Sequence, residues 1–143
     1  ERLPAVAPGE RRSTAQAWLA RNEVTDPARA TEIVAAALAV IEDKRFADLF
    51  SPDALAEAPI AATLPDGRVI AGTVDRLCIG PDLVRVIDFK TGRAVPQSAE
   101  ALPIGHVSQM KAYAEALAVI FPGRRVEAAL LYTHGPTLIA VPG

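Results

Sequence analysis

At 143 residues, half of them hydrophobic, the chain has the length and apolar content of one domain with a substantial core. Its formal net charge of −2 excludes the basic footprint of a free-standing nucleic-acid binder. A lone Cys78 excludes an internal disulfide and an iron–sulfur cluster held by cysteines of this chain.

The chain opens on Glu1 rather than Met, and the stretch to Arg11 holds Pro4 and Pro8 without clear periodicity. This start reads as that of a piece of a larger protein. Ser13 to Arg21 predicts a short helix capped by Ser13 and burying Trp18 and Leu19. Thr25-Asp26-Pro27 is a strong helix start, with Asp26 as N-cap and Pro27 in the first turn. Ile33, Val34, Ala37, Leu38 and Ile41 then repeat on one face to about Glu42. Phe46 to Phe50 predicts a helical turn. Residues 1–55 are expected to form a helical N-terminal part and residues 56–143 the functional core of a single domain.

Ala58 to Leu64, Val69 to Ile79 and Leu83 to Phe89 predict three strands. Pro65-Asp66-Gly67 predicts a three-residue loop with Gly67 left-handed, and Pro81-Asp82 a two-residue loop. Arg93 to Pro103 is a polar connection near the expected site. Ile104 to Phe121 predicts a helix with Val107, Met110, Ala114, Leu117 and Phe121 on its apolar face. Its second, polar stripe is His106, Gln109 and Tyr113. After Pro122-Gly123, Val126 to Tyr132 and Thr137 to Val141 predict two more strands around His134-Gly135-Pro136. The order α, βββ, α, ββ implies an α/β, mixed α+β class with a central mixed sheet flanked by helices. No stretch approaches about eighteen consecutive apolar residues and no signal-peptide pattern is present, so no membrane partner is expected.

Counting back from Pro81-Asp82 puts Asp75 opposite Asp88, where Cβ atoms lie only about 4.5–5.5 Å apart. Like charges there destabilise the fold unless a raised pKa, an internal cation or a bound metal offsets them. Lys90, two residues after Asp88, projects on the same face. Counting back from Pro65-Asp66-Gly67 puts Glu57 opposite Asp75, although a two-residue loop would shift the register by one. The plain alternative is a pair of solvated aspartates bridged by Arg76 and Arg93. Of the 15 basic residues only Lys44, Lys90 and Lys111 are lysines, which argues against Lys90 as a generic surface charge. Carboxylates beside a lysine suit a hard cation such as Mg²⁺ or Mn²⁺ and the hydrolysis of a phosphodiester.

Gly-x-x-Asp-Arg at 72–76, Ile-Asp-Phe-Lys-Thr-Gly at 87–92 and Gln109-x-x-x-Tyr113 together resemble the PD-(D/E)XK nuclease superfamily. Within it they resemble the nuclease domain that ends AddA/RecB-type double-strand-break repair helicase-nucleases. The resemblance implies a restriction-endonuclease-like core in which Asp75, Asp88 and the Phe89 carbonyl hold Mg²⁺ or Mn²⁺. Lys90 is then the catalytic lysine, and Glu57 the acidic residue of the first core strand. Gln109 and Tyr113 shape the site and touch DNA, with Arg76 and Thr91 beside them. By the same resemblance the partner is single-stranded DNA fed by a helicase motor, with an AddB-like second subunit, in the cytoplasm of a bacterium at the nucleoid. It also implies a histidine metal ligand upstream of Glu1, and so an isolated chain of weak activity. His106 departs from the aromatic residue common at its place. The rival functions are a free-standing CRISPR-associated or viral-type exonuclease and a non-catalytic scaffold for DNA ends or a partner subunit.

Overall fold

Two short loops set the register of the sheet. The computed structural model describes residues 3–22, 26–91, 94–134 and 136–142. Glu1, Arg2, Thr25, Gly92, Arg93 and Gly135, on which the sequence reading drew, lie outside the described residues. The first loop joins β1 (Leu55–Thr63) to β2 (Val69–Ile79). Gly67 takes the left-handed φ of 89° that its lack of Cβ permits, the Gly67 N–H donates to the Leu64 carbonyl at 2.9 Å, and the Leu64 N–H to the Arg68 carbonyl at 2.8 Å. The second loop joins β2 to β3 (Leu83–Lys90), and the Gly80 N–H donates to the Leu83 carbonyl at 2.8 Å across Pro81-Asp82. Both loops have the expected lengths, and so both antiparallel registers follow.

The remaining strands are reached by a crossover. Helix α3 (Ile104–Ile120) leads to β4 (Arg125–Tyr132), which pairs parallel to β3, and β5 (Thr137–Ala140) returns antiparallel to β4. A helical connection is what a parallel pair requires. The sheet is therefore mixed, in the order β1-β2-β3-β4-β5, with β3 at its centre. Met110, Ala116 and Leu117 of α3 are fully buried and share one core with Val84, Val86 and Leu130 of the sheet. Each large side chain so buried contributes about 1.5–3 kcal/mol. Ala116 takes a place in this core that the periodicity did not assign. Val107, Ala114 and Phe121 pack only partly buried at its margin.

The chain divides into two compact units, Glu1–Pro52 and Asp53–Gly143. The first holds two helices, α1 (Arg11–Arg21) and α2 (Pro27–Glu42), and a 3-10 segment, Lys44–Phe50. Asp26 caps α2 as expected, its carboxylate accepting the Ala28 N–H at 3.1 Å. Three other expectations need correction. Helix α1 starts two residues before Ser13, whose hydroxyl donates to the Glu10 carbonyl at 3.0 Å instead of capping the helix. Trp18 is 56% exposed, because Ala15 and Leu19, four residues apart, form the stripe that meets Val34 and Leu38. Trp18 lies about 100° further round the helix. Ile33 likewise stands outside the buried stripe of α2 at 39% exposure. Among the described residues no helix is long and apolar enough to cross a membrane.

Helix α3 also touches β2 at one glycine. A Cβ at Gly72 would collide with Tyr113 Oη and stand 3.0 and 3.1 Å from ring carbons Cε1 and Cζ, so the ring lies on the strand backbone. Gly72→Ala is expected to destabilise the fold by about 1–3 kcal/mol through overpacking. In a Tyr113→Ala background most of that cost disappears, and urea unfolding of the four chains of the cycle reads the coupling. Additive costs would show that the ring and the glycine do not constrain each other.

Candidate active site

The site begins where β2 loses its alternation. Val74 and Leu77, three residues apart, both belong to the sheet–helix core, so the two-residue period is broken across Asp75 and Arg76. Opposite this break, Glu57 of β1 has the left-handed φ of 49°, uncommon for any residue but glycine. The flanking pairs Ala56↔Arg76 and Ala58↔Val74 keep the register, so Glu57 stands across from Asp75 as counted. Its side chain is nevertheless exposed.

On the other side of β2, the pairs Arg76↔Ile87 and Leu77↔Val86 carry on to bring Asp75 level with Asp88. Asp75 Oδ2 accepts the Phe89 N–H at 2.7 Å, so a side chain takes the place of the next rung of the ladder. This bond fixes the Asp75 carboxylate beside that of Asp88. Asp88 Oδ2 in turn receives Lys90 Nζ at 2.8 Å, with the two side chains only 17% and 22% exposed. Lys90 is held at its backbone too, its carbonyl accepting the Thr133 N–H at 3.0 Å. Burial, and then the neighbouring Asp75 carboxyl, push the Asp88 pKa above its ordinary value, and the Lys90 ammonium only partly offsets them.

Asp75, Asp88, Phe89 and Lys90 are thus brought together, and the other expected site residues are not. Glu57 is turned outward by its left-handed backbone, and among the described residues no three His, Cys, Asp or Glu side chains group as a metal cage. Arg76, expected to face DNA, is only 4% exposed, two residues along β2 from the buried Val74. Gln109 is exposed on α3, and Tyr113 is half-buried against Gly72. Thr91 is exposed at the mouth of a pocket of about 780 Å³ that Phe89, Lys90, His106 and Tyr132 also line. Sequence reasoning missed Tyr132, whose register opposite Lys90 comes from a parallel pairing that no turn sets.

A family model described as the PD-(D/E)XK nuclease superfamily matches residues 2–139. The chain belongs to the PD-(D/E)XK nuclease superfamily. The mixed five-stranded sheet with its crossover helix is consistent with the restriction-endonuclease-like core of that superfamily. No curated protein sequence matches the chain. Among solved structures it is similar to that of SSO0001, at 17% identity and a TM-score of 0.45, over 92% of this chain. The chain spans 60% of the length of that protein.

The donor set fits a hard divalent cation. Mg²⁺ commonly binds through one or two carboxylates and keeps waters for a phosphate to displace, and two carboxylates are what Asp75 and Asp88 offer. The raised Asp88 pKa marks a place where added positive charge lowers the energy.

The same shift predicts a pH dependence in chelator. The native chain holds the Asp88 proton more tightly than the unfolded chain, so this contribution to stability is fully present below the ordinary value of 3.8. It is lost as pH rises through the raised native value. Asp88→Asn, neutral at every pH, is therefore expected to melt at or above the wild-type temperature at pH 7, with the difference closing as pH falls through that window. A mutant that melts well below wild type at pH 7 would show that the Lys90 ion pair outweighs the repulsion.

Proposed function

We propose that the chain is a Mg²⁺- or Mn²⁺-dependent deoxyribonuclease that hydrolyses phosphodiester bonds of single-stranded DNA during double-strand-break repair. The observation that carries this reading is the meeting of Asp75, Asp88 and Lys90 at the end of β3, in a member of a nuclease superfamily. Asp75 and Asp88 would hold the cation, with the Phe89 carbonyl as a further oxygen donor. When bound, the cation polarises a phosphoryl oxygen and lowers the pKa of a water. The Phe89 N–H holds the Asp75 carboxylate in one orientation, so the site needs little rearrangement to receive a cation. The Lys90 ammonium turns from Asp88 to the phosphate and offsets the charge that develops as water attacks phosphorus and the bridging P–O bond breaks. The net charge of −2 favours delivery of the strand by a motor over capture by this chain alone, which suits an AddA-type helicase-nuclease with an AddB-like partner at the bacterial nucleoid.

Cleavage of labelled single-stranded DNA is expected to stop in excess EDTA and return with added Mg²⁺ or Mn²⁺. Asp88→Asn should abolish it. Lys90→Arg should lower it by about 100-fold or more, because a planar fork replaces a compact ammonium. Undiminished cleavage in EDTA would overturn the metal, and wild-type turnover in Lys90→Arg would reduce Lys90 to a general charge.

A further inference from the structure

The pocket beside Lys90 has a composition that phosphodiester hydrolysis alone does not need. At about 780 Å³ it falls within the range of small-molecule sites and far exceeds a phosphate. Most of its wall is apolar, with Phe89, Val95, Pro96 and Pro103 among the lining residues. Besides Lys90 and Thr91, two hydrogen-bonding side chains interrupt that wall. Tyr132, only 3% exposed, carries a buried hydroxyl with no hydrogen-bond partner, and His106 Nδ1 is likewise buried without one. Buried polar atoms in native proteins are satisfied with few exceptions, and an orphan in the wall of a pocket points to a ligand that completes it. The two residues that carry these atoms, Tyr132 and His106, both line the pocket.

The connection to the catalytic groups narrows the ligand. Lys90 belongs both to the carboxylate cluster, through its 2.8 Å contact with Asp88, and to the pocket wall. β4 runs parallel to β3 with Tyr132 level with Lys90, so the tyrosine and the lysine enter the pocket from adjacent strand ends. A ligand that fills the pocket while its anionic part rests at Lys90 has a phosphate joined to a flat group with apolar faces and hydrogen-bonding edges. That is the chemistry of a nucleotide.

We propose that the pocket is a nucleobase subsite: the base next to the scissile phosphate enters it, and Tyr132 and His106 turn their buried Oη and Nδ1 to its edge. The proposal rests on the nuclease reading for its substrate but is tested without catalysis. Tyr132 and His106 are binding residues here, and the reacting atoms stay with Asp75, Asp88 and Lys90.

The test is equilibrium binding to the 143-residue chain in EDTA, by calorimetry or by amide chemical shifts, with three probes: deoxynucleoside 5′-monophosphates, deoxyribose 5-phosphate and inorganic phosphate. The monophosphates should bind about tenfold or more tightly than deoxyribose 5-phosphate. Tyr132→Phe should remove about fivefold of that preference, as the loss of one neutral hydrogen bond does, and leave phosphate affinity unchanged. Because its lost hydroxyl had no partner, Tyr132→Phe should melt at or above the wild-type temperature. His106→Ala, at a half-buried position of α3, gives a second reading of the same loss. Equal affinity for base-containing and base-free probes would overturn the subsite, as would a preference that neither variant changes. Such a result in a chain that cleaves DNA would leave the nuclease reading standing. Base-dependent binding in a chain that fails to cleave would support the subsite and count against the nuclease reading alone.

Discussion

The register between β2 and β3 is the constraint on which the site depends. A two-residue loop at Pro81-Asp82 sets it, and through it Asp75 comes level with Asp88. A polypeptide gains nothing from opposing two carboxylates in a half-buried position, and the surrounding structure is arranged around that cost. The Phe89 N–H takes one Asp75 oxygen, Lys90 takes one Asp88 oxygen, and the ladder gives up its regular rung. Like charges directly opposed cost up to about 1 kcal/mol in the open, and desolvation adds to this. Burial is the larger influence on Asp88 and the Asp75 carboxyl the next. A cation placed between the two carboxylates offsets both.

The same break reaches the neighbouring strand and helix. Glu57 sits left-handed opposite the irregular part of β2, and such a conformation costs on the order of 1 kcal/mol for a residue with a Cβ. Gly72, three residues before Asp75, lies under the Tyr113 ring, so α3 presses on β2 shortly before the strand leaves its alternation. Motif residues that look separate along the chain, Gly72, Asp75 and Tyr113, are in this sense one packing unit. Tyr113 touches this unit at the Gly72 backbone.

Features set by short-range chemistry could be read from the chain. The loops at Gly67 and Pro81-Asp82 and the Asp26 cap are local, and each carries its geometry over to the elements it joins. The motif Asp75, Asp88, Lys90 was legible because hairpin register can be counted. Three features had no such signal. The left-handed Glu57 has no glycine or asparagine to announce it, and so its side chain was expected to point toward the carboxylates. Arg76 is buried although its charge suggests an exposed place. Tyr132 lies opposite Lys90 only through a parallel pairing made across α3, and a crossover of that length carries no register. Trp18 has the size of a core residue, but stripe position outweighs size in α1, where Ala15 and Leu19 make the packing contacts.

The position of Lys90 explains why the site lies at this end of the sheet. β3 and β4 are the parallel pair, and they end together at Lys90 and Tyr132. In sheets with helical crossovers, the carboxyl ends of parallel strands are where connections diverge and leave a crevice. Here the connection from β3 to α3 leaves the pocket lined by Val95, Pro96 and Pro103, and the helix supplies His106 to its wall. Lys90 is anchored at its carbonyl by the Thr133 N–H and at its ammonium by Asp88, so only the segment between them is free to move. A compact ammonium on that short tether can exchange one carboxylate oxygen for one phosphate oxygen with little backbone displacement. A guanidinium needs acceptors spread across a plane, whereas the ammonium meets one Asp88 oxygen at 2.8 Å. On the proposed function, that geometry favours a lysine here in a chain that otherwise uses mostly arginine.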